Sequence, residues 1–146
     1  MIDAAMIERK IDIIVENLRY LNRVRDTEKK VFLASFEKLQ AAKHSLQEAI
    51  EACIDIANHV IAAERFARAE TYAGMFERLA EENIISSGLK DKLANMAKFR
   101  NLLVHRYGDI DEQRVWEMIQ HDLADVESYV QEIERYILQK EKEDRM

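Results

Sequence analysis

The chain has no proline, three glycines and one cysteine among 146 residues, and these absences exclude more than any residue present asserts. A sandwich or barrel of short strands needs turn residues at frequent intervals, and they are missing here. One cysteine makes no disulfide scaffold. Cys53 and four scattered histidines also fall short of the clustered ligands of a zinc finger or ribbon. No uncharged apolar run approaches the roughly 18 residues of a membrane span. Charges at Asp3, Glu8, Arg9, Lys10 and Asp12 interrupt any signal-peptide core, so a cytoplasmic protein without membrane contact is expected.

What is abundant is Ala, Leu, Ile, Glu, Lys and Arg, with 48% apolar and 34% charged residues. That composition favours helix, and the apolar spacing agrees. Ile7, Ile11, Ile14, Leu18 and Leu21 form one stripe on a helix over 3–25. After Asp26 or Thr27 as cap, Phe32, Phe36, Leu39, Leu46, Ile50, Cys53, Ala57 and Val60 continue the rhythm to residue 64, predicting one helix roughly 50 Å long. Cys53 is then a small buried thiol. Tyr72, Met75, Phe76 and Leu79 mark a helix over 69–82 that tolerates Gly74. Leu89, Leu93, Met96 and Leu103 mark one over 88–104, and Val115, Ile119, Leu123, Val126, Val130, Ile133 and Ile137 mark one over 111–139, with 139–146 frayed. No repeat or linker divides the chain. The expectation is a single all-α domain over 1–146, an up-and-down antiparallel bundle of about five helices. The length of the second helix suggests surface left for another copy of the chain.

The net charge of −6 argues against a general nucleic-acid coat. Residues 88–107 are the exception, with Lys90, Lys92, Lys98, Arg100 and Arg106 against Asp91 alone. A run of exposed helical lysines is one account of this island; an anionic ligand is the other. Within it, the stripe from Leu89 through Leu93 and Met96 lands next on Arg100. A guanidinium in an apolar seam requires a partner, unless Phe99 takes the inward position and Arg100 sits at the edge. Gly108 and the capping run Asp109-Ile110-Asp111-Glu112 place His105 and Tyr107 at a helix end. A histidine there is commonly a helix-end residue, and Tyr107 alone reads as an aromatic closing the bundle.

His44, Glu48, Glu51, Asp55 and His59 also recur on one side of the long helix. They read as a solvated, ion-paired face, or as the lining of a cleft, with Asp55 and His59 as supporting candidates. No histidine has a glutamate three positions before it, so the di-iron pattern is absent and no metal is expected.

The stretch Met96-Ala-Lys-Phe-Arg-Asn-Leu-Leu-Val-His-Arg-Tyr-Gly-Asp-Ile110 resembles the R-x4-H-x-Y signature of the HepT family, HEPN-domain toxins paired with minimal nucleotidyltransferase (MntA) antitoxins. Segments 46–62 and 71–85 and the overall length extend the likeness along the chain. The resemblance implies a HEPN-like bundle acting, without a metal or other cofactor, as an endoribonuclease. It implies a homodimer or larger assembly whose protomers share a cleft. Arg100 would hold the phosphate of the RNA substrate and His105 would move protons, while Tyr107 would accept AMP from the MntA-like antitoxin. Lys98, Asn101 and Arg106 are the accompanying candidates for RNA contact. The chemistry is intelligible, since attack by an RNA 2′-hydroxyl needs a base, an acid and positive charge on the phosphate. A non-catalytic helical module that binds a nucleotidyltransferase, or that binds RNA without cutting it, is the alternative.

Overall fold

The computed structural model describes residues 1–105 and 111–146. Among the described residues there are seven helices: α1 (Ala4–Arg25), α2 (Lys29–Ala34), α3 (Phe36–Ala63), α4 (Tyr72–Glu81), α5 (Ser87–His105), α6 (Glu112–His121) and α7 (Leu123–Arg145). The all-α bundle stands, but two of the five expected helices are each broken in two. The first break falls at Ser35, whose backbone leaves the helical region (φ −103°, ψ 108°) while its side chain accepts a hydrogen bond from the Lys38 amide. A serine that caps the next helix ends the previous one without glycine or proline. The second break is at Asp122, which closes α6 and opens α7.

The break at Ser35 resets the helical phase. Phe32 and Leu39 are buried, but Phe36, expected between them on the core stripe, is 74% exposed. The continuous part, α3, has 28 residues, hence about 42 Å rather than the expected 50 Å. Its start also differs from expectation. Asp26 ends α1, and Glu28 precedes α2 without a side-chain cap, so neither Asp26 nor Thr27 serves as an N-cap. At the other end of the chain α7 continues through Arg145, past the expected end at 139.

α3 packs against α1, α2, α4, α5 and α6. Contacts between Glu48 and Asn17, Asp55 and Lys10, and His59 and Asp3 run in opposite senses along the two helices, so α1 and α3 are antiparallel. The Tyr129 hydroxyl donates to the Cys53 carbonyl at 2.9 Å, and Tyr136 donates to the Glu64 carboxylate, so α7 runs parallel to α3. Lys92–Asp125 and Ser86–Glu132 set α5 antiparallel to α7, hence also to α3. Members of the expected stripes form the core, with Ile7, Ile14, Leu21, Phe32, Phe76, Leu79, Leu93, Ile119 and Ile133 almost wholly enclosed, and Ile56 and Tyr129, outside those stripes, are enclosed with them. Burial pushes the Cys53 thiol up to about 12, which keeps it neutral.

Gly74 has a local reason. Its amide donates to the Thr71 hydroxyl that caps α4, and a Cβ would stand 3.0 Å from that oxygen and 3.3 Å from the Ala69 Cβ. The glycine costs helix propensity and keeps the cap uncrowded.

Phe32 stacks at a tilt on Trp116, with ring centroids 5.4 Å apart, and so ties the short α2 to α6. Phe32→Ala is expected to cost about 3–5 kcal/mol. It should also shift Trp116 emission to the red, and Trp116 is the single tryptophan. Equilibrium urea unfolding followed by fluorescence measures both effects.

Candidate functional site

Arg100 lies on α5, about one and a half turns before His105. The two alternatives left by the sequence are both partly realised. Phe99 takes the inward position at 1% exposure, and Arg100 sits at the edge of the seam with its side chain 18% exposed. A guanidinium so enclosed needs a counter-charge, and α3 supplies it through Glu51. Nε and Nη2 of Arg100 donate to the same oxygen, Glu51 Oε1, at 3.0 and 2.7 Å. Gln47 Nε2 donates to that oxygen as well, at 3.3 Å. Nη1 donates to the side-chain oxygen of the neighbouring Asn101 at 3.2 Å. The Tyr72 ring, at the start of α4, lies 5.8 Å from the guanidinium carbon, within cation–π range. Three helices therefore converge on one arginine.

This cradle can do one thing well: it holds a cation at a fixed place and angle on α5. Arg100 keeps N–H groups that Glu51 and Asn101 do not take, because a guanidinium carries five. Lys98, two residues earlier, is exposed. A second cation on a neighbouring face of α5 is Arg114, from α6, whose guanidinium stands 5.6 Å over the Phe99 ring. Arg114 borders an open groove of about 480 Å³ between α5 and α6, shared with Lys92, Asn95, Met96, Met118 and His121. Lys92 reaches Asp125 at 3.3 Å.

His105 is the last described residue of α5, and its side chain, together with Arg106 and Tyr107 and hence the expected helix end there, lies outside the described residues. Asp111 opens α6 by accepting from the Gln113 amide, as the capping run predicts.

The polar series on α3 divides between two neighbours. Glu51 turns to α5, while Glu48 accepts from Asn17 of α1 at 3.1 Å and pairs with His44 at 3.2 Å. Asp55 pairs with Lys10 at 2.9 Å, and His59 Nε2 accepts from the Asp3 amide at 2.9 Å. Asp55 and His59, expected as supporting candidates, thus tie α3 to the first turns of α1. Glu51 is the member of the series that meets Arg100, and its role was not singled out in the sequence. The signal was there in two halves, an arginine in want of a partner and an acid on the facing edge of the long helix, but 49 residues separate them. Among the described residues no three His, Cys, Asp or Glu side chains gather as a metal-binding group, and no helix is long and apolar enough to cross a membrane.

The helical bundle places the chain in a class, the HEPN-type domains, whose solved toxin structures it resembles. The chain belongs to the HepT-like ribonucleases, whose family model matches residues 14–133. It is 29% identical over 142 residues, 97% of each chain, to the tRNA nuclease HepT of Aphanizomenon flos-aquae. It is 36% identical over 86 residues to the mRNA nuclease HepT of Shewanella oneidensis, covering 59% of this chain and 65% of that one. Among solved structures, the tri-AMPylated Shewanella oneidensis HEPN toxin in complex with its MNT antitoxin superposes with a TM-score of 0.83 at 30% identity, over 92% of this chain and 99% of the other. YutE from Bacillus subtilis, a cytosolic protein of unknown function, shares the fold with a TM-score of 0.83 at 18% identity, over 95% of this chain and 93% of its own.

Because Asp55 and His59 are engaged with α1, Asp55→Ala and His59→Ala are expected to cost at most about 1 kcal/mol each in stability and to leave ribonuclease activity within about twofold. Melting temperature and RNA cleavage measured on the same preparations check this. A tenfold loss of cleavage at unchanged melting temperature would put either residue in the cleft.

Proposed function

We propose that the chain is the ribonuclease toxin of a toxin–antitoxin pair, cleaving RNA without a metal at a cleft built by two copies of itself. The observation that carries this reading is the caged Arg100 on α5, five residues before His105 in the sequence. Family membership supports ribonuclease chemistry, and the names of both relatives support RNA as the substrate class.

In the proposed reaction the RNA 2′-oxygen attacks the adjacent phosphorus as its proton is removed. The bond from phosphorus to the 5′-oxygen then breaks as that oxygen takes up a proton. The products are a cyclic phosphate and a 5′-hydroxyl. Arg100 offsets the charge that gathers on the non-bridging oxygens. An imidazole, with an unperturbed value near 6.5, serves for either proton. Each chain contributes one motif histidine, so a two-fold axis that faces two copies of His105 across one strand supplies base and acid from identical parts. Lys98, Asn101 and Arg106 flank Arg100 in sequence and are the proposed contacts to neighbouring phosphates and sugars.

The expected result is that unmodified protein cleaves RNA in EDTA, while folded Arg100→Ala and His105→Ala each lose about 10²-fold or more. Cleavage by all three at equal rates would overturn the assignment. Intact RNA bound by all three would favour a silent binding module.

Control of the toxin is proposed to follow the related toxin that is AMPylated and bound to an MNT antitoxin. In the proposed step the Tyr107 hydroxyl attacks the α-phosphorus of ATP on an MntA-like nucleotidyltransferase, forming a phosphodiester to AMP and releasing pyrophosphate. The added phosphate brings negative charge where RNA phosphates would lie, and so competes for Arg100 and Arg106. Incubation with the antitoxin and ATP is expected to add AMP mass to the wild type and abolish cleavage, with Tyr107→Phe unmodified and still active. Mass spectrometry paired with the cleavage assay reads both. Modified and silenced Tyr107→Phe would move the acceptor elsewhere.

A further inference from the structure

We infer that Glu51 is a positioning residue for the ribonuclease reaction, one that fixes which edge of Arg100 faces the RNA and tempers how tightly uncleaved RNA is held; this rests on Arg100 being the phosphate-binding arginine. A guanidinium offers two bidentate edges, a side-on edge made by Nε and Nη2 and an end-on edge made by Nη1 and Nη2. Glu51 Oε1 occupies the side-on edge completely, at 3.0 and 2.7 Å. The N–H groups left for a phosphate are then one each on Nη1 and Nη2, since Nη1 also donates to Asn101 at 3.2 Å, and that bond together with the Tyr72 ring at 5.8 Å restricts rotation of the guanidinium. Gln47, the third donor to Oε1, keeps the carboxylate from following the arginine outward.

Two consequences of opposite sign follow from the same carboxylate. Its geometry aims the end-on edge, which assists the transition state, because a misaimed charge stabilises a crowded phosphorane poorly. Its negative charge, beside an arginine only 18% exposed, weakens the ground-state attraction for RNA. Removal of Glu51 therefore slows cleavage while tightening substrate binding. A residue that merely held α3 to α5 would not tighten binding, since partial unfolding lowers the amount of active enzyme, and with it the apparent kcat, without changing KM.

The test compares Glu51→Ala, Glu51→Gln and Arg100→Ala as full-length unmodified protein, with kcat and KM measured on one RNA. Glu51→Ala is expected to lose about tenfold or more in kcat while KM falls about threefold. Glu51→Gln keeps an acceptor oxygen of the same reach without the charge, so it should recover most of kcat and retain the lower KM. The Arg100 Nε–H resonance gives a readout independent of turnover, with exchange slowed in the wild type and in Glu51→Gln and fast in Glu51→Ala. If Arg100→Ala is inactive while folded Glu51 variants match wild type in kcat and KM, the positioning role alone is overturned. Parallel losses of kcat and affinity overturn it as well. Should Arg100→Ala cleave normally, the reading of Arg100 fails and Glu51 falls with it. If Glu51→Ala does not fold, Glu51→Gln and the wild-type exchange rate decide, and fast exchange at Arg100 Nε–H in the wild type refutes the clamp.

Discussion

α3 packs against α1, α2, α4, α5 and α6 and is hydrogen-bonded to α7, and that enclosure governs where charge is allowed in this molecule. Along most of its circumference the helix presents Leu39, Ala42, Leu46, Ile50, Cys53, Ala57 and Val60 to the core, leaving a narrow polar edge between α1 and α5. A charge on that edge is only partly hydrated, so each acid there is stabilised by a partner on a neighbouring helix. Glu48 has Asn17, Asp55 has Lys10, and Glu51 has Arg100. The pairing of Glu51 with Arg100 differs from the others in being the more enclosed ion pair, and enclosed pairs are the ones whose loss leaves an uncompensated charge.

The geometry of the site is inherited from this packing. Antiparallel α3 and α5 cross at the level of Glu51, and α4 brings the Tyr72 ring to the same place. None of the three groups sits on a long loop. An arginine held by regular helices keeps its angle without needing substrate to organise it, which is the arrangement that favours transition-state charge stabilisation over mere attraction. The tyrosine at 129, hydrogen-bonded to the Cys53 carbonyl in the middle of α3, and the Glu64–Lys140 pair at its C-terminal end bind α7 to the same helix. Burial would raise Glu64, but its bonds to Tyr136 and Lys140 outweigh that and hold its carboxyl below the ordinary value. The scaffold behind the cradle is thus tied at two levels.

Much of this was legible in the chain, for reasons that differ by element. The stripe Ile7, Ile11, Ile14, Leu18, Leu21 is fully buried because helical periodicity alone decides which side of a long amphipathic helix meets the core. Arg100 was legible as an anomaly, since a charge falling in an apolar rhythm asks for a partner. The break at Ser35 was not legible, because it carries neither glycine nor proline and arises from competition between a hydroxyl cap and the preceding turn. That single cap sends Phe36 into solvent. The pairing of Glu51 with Arg100 was also hidden, for another reason: the choice among five polar residues on one face depends on how α3 and α5 are docked, and local spacing says nothing about docking.

Fold and chemistry are asked of different residues here. YutE preserves the bundle at 18% identity, so the architecture survives replacement of most side chains, as apolar stripes tolerate exchange among Leu, Ile, Val and Met. A caged guanidinium has no such tolerance. Lysine would lose the two-edged fork, and a glutamate moved one residue along α3 would turn through about 100° and face another helix. A bundle of this shape is therefore weak evidence of ribonuclease activity by itself. The ribonuclease reading rests instead on Arg100 with Glu51 on its side-on edge, because apolar packing alone does not call for an enclosed guanidinium on α5, whereas a phosphate ligand gives it a use.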